Sequence, residues 1–224
     1  MKYFSPDFNQ FFKDLAKNNH TAWFKQNNER YQESVKKPFD RFLTDLLSAY
    51  REIEPQCPLE PKNAQFRINK DIRFSADKSP YKLHKGAIIS NYGTKNTSFP
   101  GLYIHFGPGE NFVGGGCYNL SKEDLQNLRA FLLENYSKFE SLLKDPNFLA
   151  YYPGGLNPTE QNKRLPKEWQ DQVAEKPLIL NKRFYFIKDY TDESFVLQDN
   201  LVEIILEQYK AAKPLTDFFR SAWG

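Results

Sequence analysis

Apolar residues recur at Phe8, Phe11, Phe12 and Leu15, the i, i+3, i+4, i+7 spacing that lines one face of a short amphipathic helix. Asn18-Asn19-His20-Thr21 reads as a stop and a restart, with Thr21 as the next N-cap. The helical period resumes through Phe24, Tyr31, Val35, Phe39, Phe42, Leu46, Leu47 and Tyr50. Pro38 falls inside this run and must split or kink it, because proline lacks the donor and clashes with the preceding turn. Helices are therefore predicted at about 21–36 and 38–54, closed by Pro55 and Pro58.

From Gln65 to Phe74 the period becomes two. Phe66, Ile68, Ile72 and Phe74 would face one way and Arg67, Asn69, Asp71 and Arg73 the other, as on a half-buried strand. Ser75–Pro80 is turn-rich, and Gly86–Ser90 reads as a short buried strand. Leu102–Phe106 alternates again; Gly107-Pro108-Gly109-Glu110 predicts a hairpin turn, with Asn111–Tyr118 as the returning strand. Such a run of neighbouring strands predicts an antiparallel sheet rather than βαβ crossovers.

Helical spacing returns after Ser121, which with Asp124 approximates a capping box. Leu125, Leu128, Phe131, Leu132, Phe139, Leu142 and Leu143 form the apolar face. Pro153–Lys182 is a polar excursion broken by Gly154-Gly155, Pro158, Pro166 and Pro177, either a long surface loop or a lid. Arg183–Lys188 predicts a further strand. A C-terminal helix through Leu201, Ile204, Ile205, Tyr209 and Ala212 is expected to break at Pro214. The expectation is an α+β fold, an antiparallel sheet packed against N-terminal and C-terminal helices. It spans 1–224 as one domain, with helices at about 7–54, the sheet at about 64–119, helices and the polar loop at about 121–182, and a strand and helix at about 183–221.

Composition narrows the class. With 224 residues, 20 Phe and 13 Tyr, the chain can build a core without disulfides or a structural metal. No apolar run approaches the roughly 18–20 residues of a membrane span, so no membrane partner is expected. The first residues lack the smooth apolar stretch of a secretory leader. Cys57 and Cys117 are neither paired in spacing nor dense enough for a secreted scaffold, so free thiols and a cytoplasmic location are expected. Net charge is only +3, yet Lys62–Lys85 holds seven cations against two anions, which leaves the rest slightly acidic. A basic window in a near-neutral chain attracts anions.

Within that window, Arg67-Ile68-Asn69-Lys70-Asp71-Ile72-Arg73-Phe74 is followed by Lys78, Pro80 and Tyr81. This resembles the R-x-x-R-D-x-R-F-x-x-x-K-x-P-Y motif of the domain of unknown function 2461 family, with Lys70 in place of the second arginine. Trp23-Phe24, Tyr103-Ile104-His105 and Phe112–Gly116 agree with it, so the resemblance covers essentially the whole chain. It implies kinship with widespread bacterial proteins of this length and brings no activity with it.

On a straight strand Arg67 and Arg73 would lie about 20 Å apart, too far to share one phosphate. A clamp made of both arginines would need a bend; without one Arg73 belongs with the loop after it, and Lys78, Tyr81 and Lys82 would fold back to complete an anion-binding pocket, with Asp71 orienting an arginine, so the ligand-binding candidates are Arg67, Arg73, Lys78, Tyr81 and Lys82. The bland alternative is that Asp71 merely pairs with Arg67 or Arg73. Acid–base candidates are Asp71, Tyr81, His84 and His105. Asp77 reads as a turn residue. Gly114-Gly115-Gly116 lacks the flanking residues of a phosphate loop and reads as a close backbone approach. Lys163-Arg164, Lys167 and Lys182-Arg183 form a second cationic stretch. His20, His84 and His105 are too dispersed for a metal site, and no cofactor is expected. The leading expectation is an enzyme or binding protein for a small phosphorylated or carboxylated molecule; a nucleic-acid module, with Phe66, Phe74 and Tyr81 to stack bases, and a purely structural motif are the alternatives.

Overall fold

The computed structural model describes residues 1–223. Helices Asp7–Lys17 (α1), Thr21–Gln26 (α2), Asn28–Tyr31 (α3), Lys37–Ile53 (α4) and Pro61–Ala64 (α5) precede the sheet. Strands Lys85–Ile89 (β1), Gly101–Phe106 (β2) and Asn111–Cys117 (β3) follow. Next come Lys122–Glu134 (α6), Tyr136–Leu143 (α7), Pro146–Tyr151 (α8) and Lys167–Gln170 (α9). Phe184–Tyr190 (β4) and Leu201–Arg220 (α10) complete the order. The sheet is antiparallel, in the order β1-β2-β3-β4, and the protein is α+β. Among the described residues no helix is long and apolar enough to cross a membrane.

By its contacts the chain falls into two units: residues 1–95, 103–113 and 189–207, and residues 96–102, 114–188 and 208–224. In the first, the α1 stripe is realised as read, with Phe8, Phe11, Phe12 and Leu15 all buried. Arg30 fastens the polar side of α1 by pairing with both Asp7 and Asp14. Phe4, Phe39, Phe42 and Phe106 form an aromatic core; the Phe42–Phe106 centroids are 5.4 Å apart. In the second unit Leu128, Leu132, Phe139, Phe148, Phe184, Phe186, Leu215 and Phe219 share one core.

Several local expectations change. His20, not Thr21, caps α2, its Nδ1 accepting from Trp23 N at 3.3 Å. The helix predicted at 21–36 is divided at Asn27, and from Asn28 the chain stays helical through a π turn at Gln32–Lys36 into α4; Lys37 N reaches back five residues to Gln32 O, a shift of register just before Pro38 that accommodates a residue without a donor. Pro214 does not end the last helix: α10 runs on to Arg220, held by the burial of Leu215, Phe218 and Phe219 just beyond the proline. The capping box at Ser121 and Asp124 is present. The polar excursion is tied down within its own unit. Buried Arg129 on α6 donates to Asn162 Oδ1, Leu180 O and Asn181 O at 2.9–3.2 Å.

Candidate functional site

The charged motif does not form the continuous strand that its alternation predicts. Residues 65–70 run antiparallel to 80–87 through two isolated bridges, Gln65–Ala87 and Asn69–Tyr81. Phe66 N donates to Gly86 O at 2.9 Å, Lys82 N to Ile68 O at 2.8 Å and Lys70 N to Pro80 O at 2.9 Å. Between the bridges one arm advances four residues and the other six. The surplus is taken up by a bend at Leu83-His84, and beyond Lys70 the chain leaves as an irregular loop. A loop needs no common face, so Ile68 is buried while Phe74 is 96% exposed.

The bend sets the His84 ring against His105 of β2, with centroids 3.8 Å apart. His105 in turn stacks on Phe112 of β3 at 4.3 Å, and Phe112 on Tyr103 at 5.7 Å. His105 is 7% exposed. Its Nε2 has no hydrogen-bond partner, and Glu110 Oε2 stands 4.0 Å away. Burial pushes the His84 pKa down to about 3, and His105, Lys82, Lys70 and Lys85 push the same way. Burial, then Lys82, pushes His105 down to about 4. Both rings are neutral at pH 7.

Lys82 holds its ammonium 5.2 Å from the centre of the Phe66 ring. Burial first, then the charge of Arg67, lowers its pKa. Among the described residues no carboxylate forms an ion pair with Lys82 or Arg67. The other motif cations are engaged. Lys70 pairs with Asp77 at 2.8 Å, and Lys78 donates to Ile72 O at 3.0 Å. Arg73 grips Asp71 with two bonds of 2.9 and 2.6 Å, and those bonds hold the Asp71 carboxyl below its usual range. Lys85 is buried over Phe39 and donates to Gln65 Oε1 at 2.8 Å; burial lowers its pKa to about 8.

The expected cluster is thus divided. Lys82 is the link between the two halves of the site, its charge felt by Arg67 on one side and by His84 and His105 on the other, while Asp71, Arg73 and Lys78 lie on the exposed loop. Tyr81 belongs to neither: it is 7% exposed and stacked on Phe24 at 4.1 Å. Asn19 bonds both backbone groups of Tyr81, donating to its carbonyl at 2.9 Å and accepting from its N–H at 3.1 Å. Phe112, which the sequence marks only through the family resemblance, stacks on His105, and Phe66, expected on the apolar face of a strand, lies under the Lys82 ammonium instead. In the second cationic stretch, Lys182 pairs with Glu160 at 2.8 Å and Arg183 lies over Tyr118. No group of three or more His, Cys, Asp or Glu among the described residues is arranged to hold a metal.

The chain is an α+β protein whose candidate site sets Lys82, a cation without an ion-pair partner among the described residues, beside the half-buried His84 and the buried His105. The chain belongs to the domain of unknown function 2461 family, described as conserved hypothetical protein (DUF2461), which matches residues 7–218. No curated protein and no solved structure matches the chain.

Proposed function

We propose that the protein binds a small molecule through a phosphate or carboxylate group held by Arg67 and Lys82, next to His84 and His105. The observation that carries this reading is the like-charge pair: the Lys82 N to Ile68 O bond sets Lys82 beside Arg67, and among the described residues neither cation forms an ion pair with an acid, although Lys70 and Arg73 nearby each do. Repulsion and the partial burial of Lys82 both count against the empty arrangement. An anion between the two removes the repulsion and gains charge-assisted hydrogen bonds.

The imidazoles fit the same role. A buried ring nitrogen without a partner costs about 1–3 kcal/mol, and an anion's oxygen would satisfy a protonated His105 Nε2. The two rings, tilted by 30° with centroids 3.8 Å apart, pack directly against one another and leave no room for a ligand between them. They therefore do not flank a reacting phosphorus from opposite sides, as the acid and base of an in-line displacement must. The pair suits holding an oxygen and taking up a proton.

A thermal-shift titration with organic phosphates and carboxylates tests the reading. A ligand at 100 Kd stabilises by about 2.7 kcal/mol. That response is expected to disappear in Arg67→Ala and Lys82→Ala and to persist in Lys78→Ala. A response undiminished in both of the first two variants overturns the proposal.

A further inference from the structure

Phe74 has no role in anion binding as described above, yet it is 96% exposed, next to Arg73, whose guanidinium carbon lies 5.9 Å from the ring centre. The loop that carries it, residues 71–79, is closed at its neck by the Lys70 N to Pro80 O bond. Its root adjoins the unpaired cations, since Arg67 acts on both Asp71 and Lys82. Phe74 follows Lys70 by four residues and so lies within about 14 Å of it along the chain.

The other rings near these cations are occupied. Phe112 has His105 against it at 4.3 Å and Tyr103 at 5.7 Å, while Phe66 carries the Lys82 ammonium. Phe74 also has a cation over it, Arg73, but at 96% exposure its other face is open, and its arginine neighbour suits a flat, electron-rich partner, because a guanidinium stacks on π systems as well as pairing with anions. Such a ring beside cations is how proteins hold nucleotides without reading their sequence.

Resting on the anion-binding reading, the geometry points to a bipartite ligand: a nucleoside phosphate, free or within a single strand, with its phosphate on Arg67 and Lys82 and its base stacked on Phe74. Arg73 completes the stack, and the surroundings of the base are otherwise open, so the chemistry recognised is a phosphate joined to a planar base rather than one particular base.

Calorimetric titration of the intact protein with ribose 5-phosphate, adenosine 5′-monophosphate and a short oligodeoxyadenylate tests this. Adenosine monophosphate is expected to bind about tenfold more tightly than ribose 5-phosphate. Phe74→Ala should erase that gain and leave ribose 5-phosphate unchanged; Phe74→Trp should restore it. Being so exposed, position 74 tolerates both substitutions without loss of the fold. An oligonucleotide that binds more tightly still, with a steep salt dependence and the same need for Phe74, identifies the single strand as the source. Equal affinities for the two monophosphates, or an adenosine monophosphate affinity indifferent to Phe74→Ala, overturn the inference. If ribose 5-phosphate still depends on Arg67 and Lys82, the anion site survives that result. If no phosphate binds at all, both readings fall.

Discussion

His84 and His105 are two of the three histidines in the chain, and their burial among cations gives the fold a pH dependence of definite sign. Their folded-state pKa values, about 3 and about 4, lie below the ordinary value of about 6.5. Under pH 6.5 the unfolded chain therefore binds more protons than the folded one. Stability is unaffected by the pair above that pH and falls as pH drops from 6.5 toward 4, approaching about 1.4 kcal/mol per pH unit for each histidine. Urea unfolding at pH 7, 6 and 5 should show this fall, and His84→Gln should flatten it; a slope unchanged by the substitution would contradict the assignment. A bound anion opposes the cations and raises both pKa values, so anion affinity should rise as pH falls from 7 to 5. The basic window is enough to single out Arg67 and Lys82, and the scarcity of acid–base groups marks His84 and His105 as candidates. Neither says which cations already hold an acid, because Asp71 and Asp77 lie within reach of several and only the loop's path decides. Tyr81 was illegible for a similar reason: an aromatic after proline can cap a core or face a ligand, and the stack on Phe24 that settles its place comes from a helix far away in sequence.

Elements whose pattern reflects burial were read closely, and those bent by local backbone bonding were not. The hairpin of β2 and β3 and the stripe of α1 follow from the alternation of apolar side chains. The 65–74 segment shows the same alternation but lacks the partner for a ladder, since the arm opposite has two surplus residues and the chain leaves at Lys70. The glycines of β3 show the close approach expected of them. A Cβ at Gly114 would fall 2.2 Å from Phe186 O, and one at Gly116, where φ is +96°, 2.3 Å from Phe184 O. Neither carbonyl can yield without moving β4. Gly116→Ala should therefore destabilise by more than about 2 kcal/mol. Gly109→Ala, with the same sign of φ but open space around it, should cost only about 1–2 kcal/mol. Denaturant midpoints of the two variants decide this, and equal losses would contradict the close-approach account.

At the scale of the whole molecule, α+β architecture was legible because helical and strand periods occupy separate stretches of the chain. The division into two units was not, since each is assembled from three separate stretches and no linker or change of composition marks a boundary. Every residue of the proposed anion site belongs to the first unit, so its chemistry is complete there. The most direct measurement is anomalous diffraction from crystals soaked in tungstate, a phosphate-shaped dianion. The account predicts a peak between the Arg67 guanidinium and the Lys82 ammonium, within hydrogen-bonding distance of a histidine ring. A peak beside Arg73 instead, or none at Arg67 and Lys82, would contradict it.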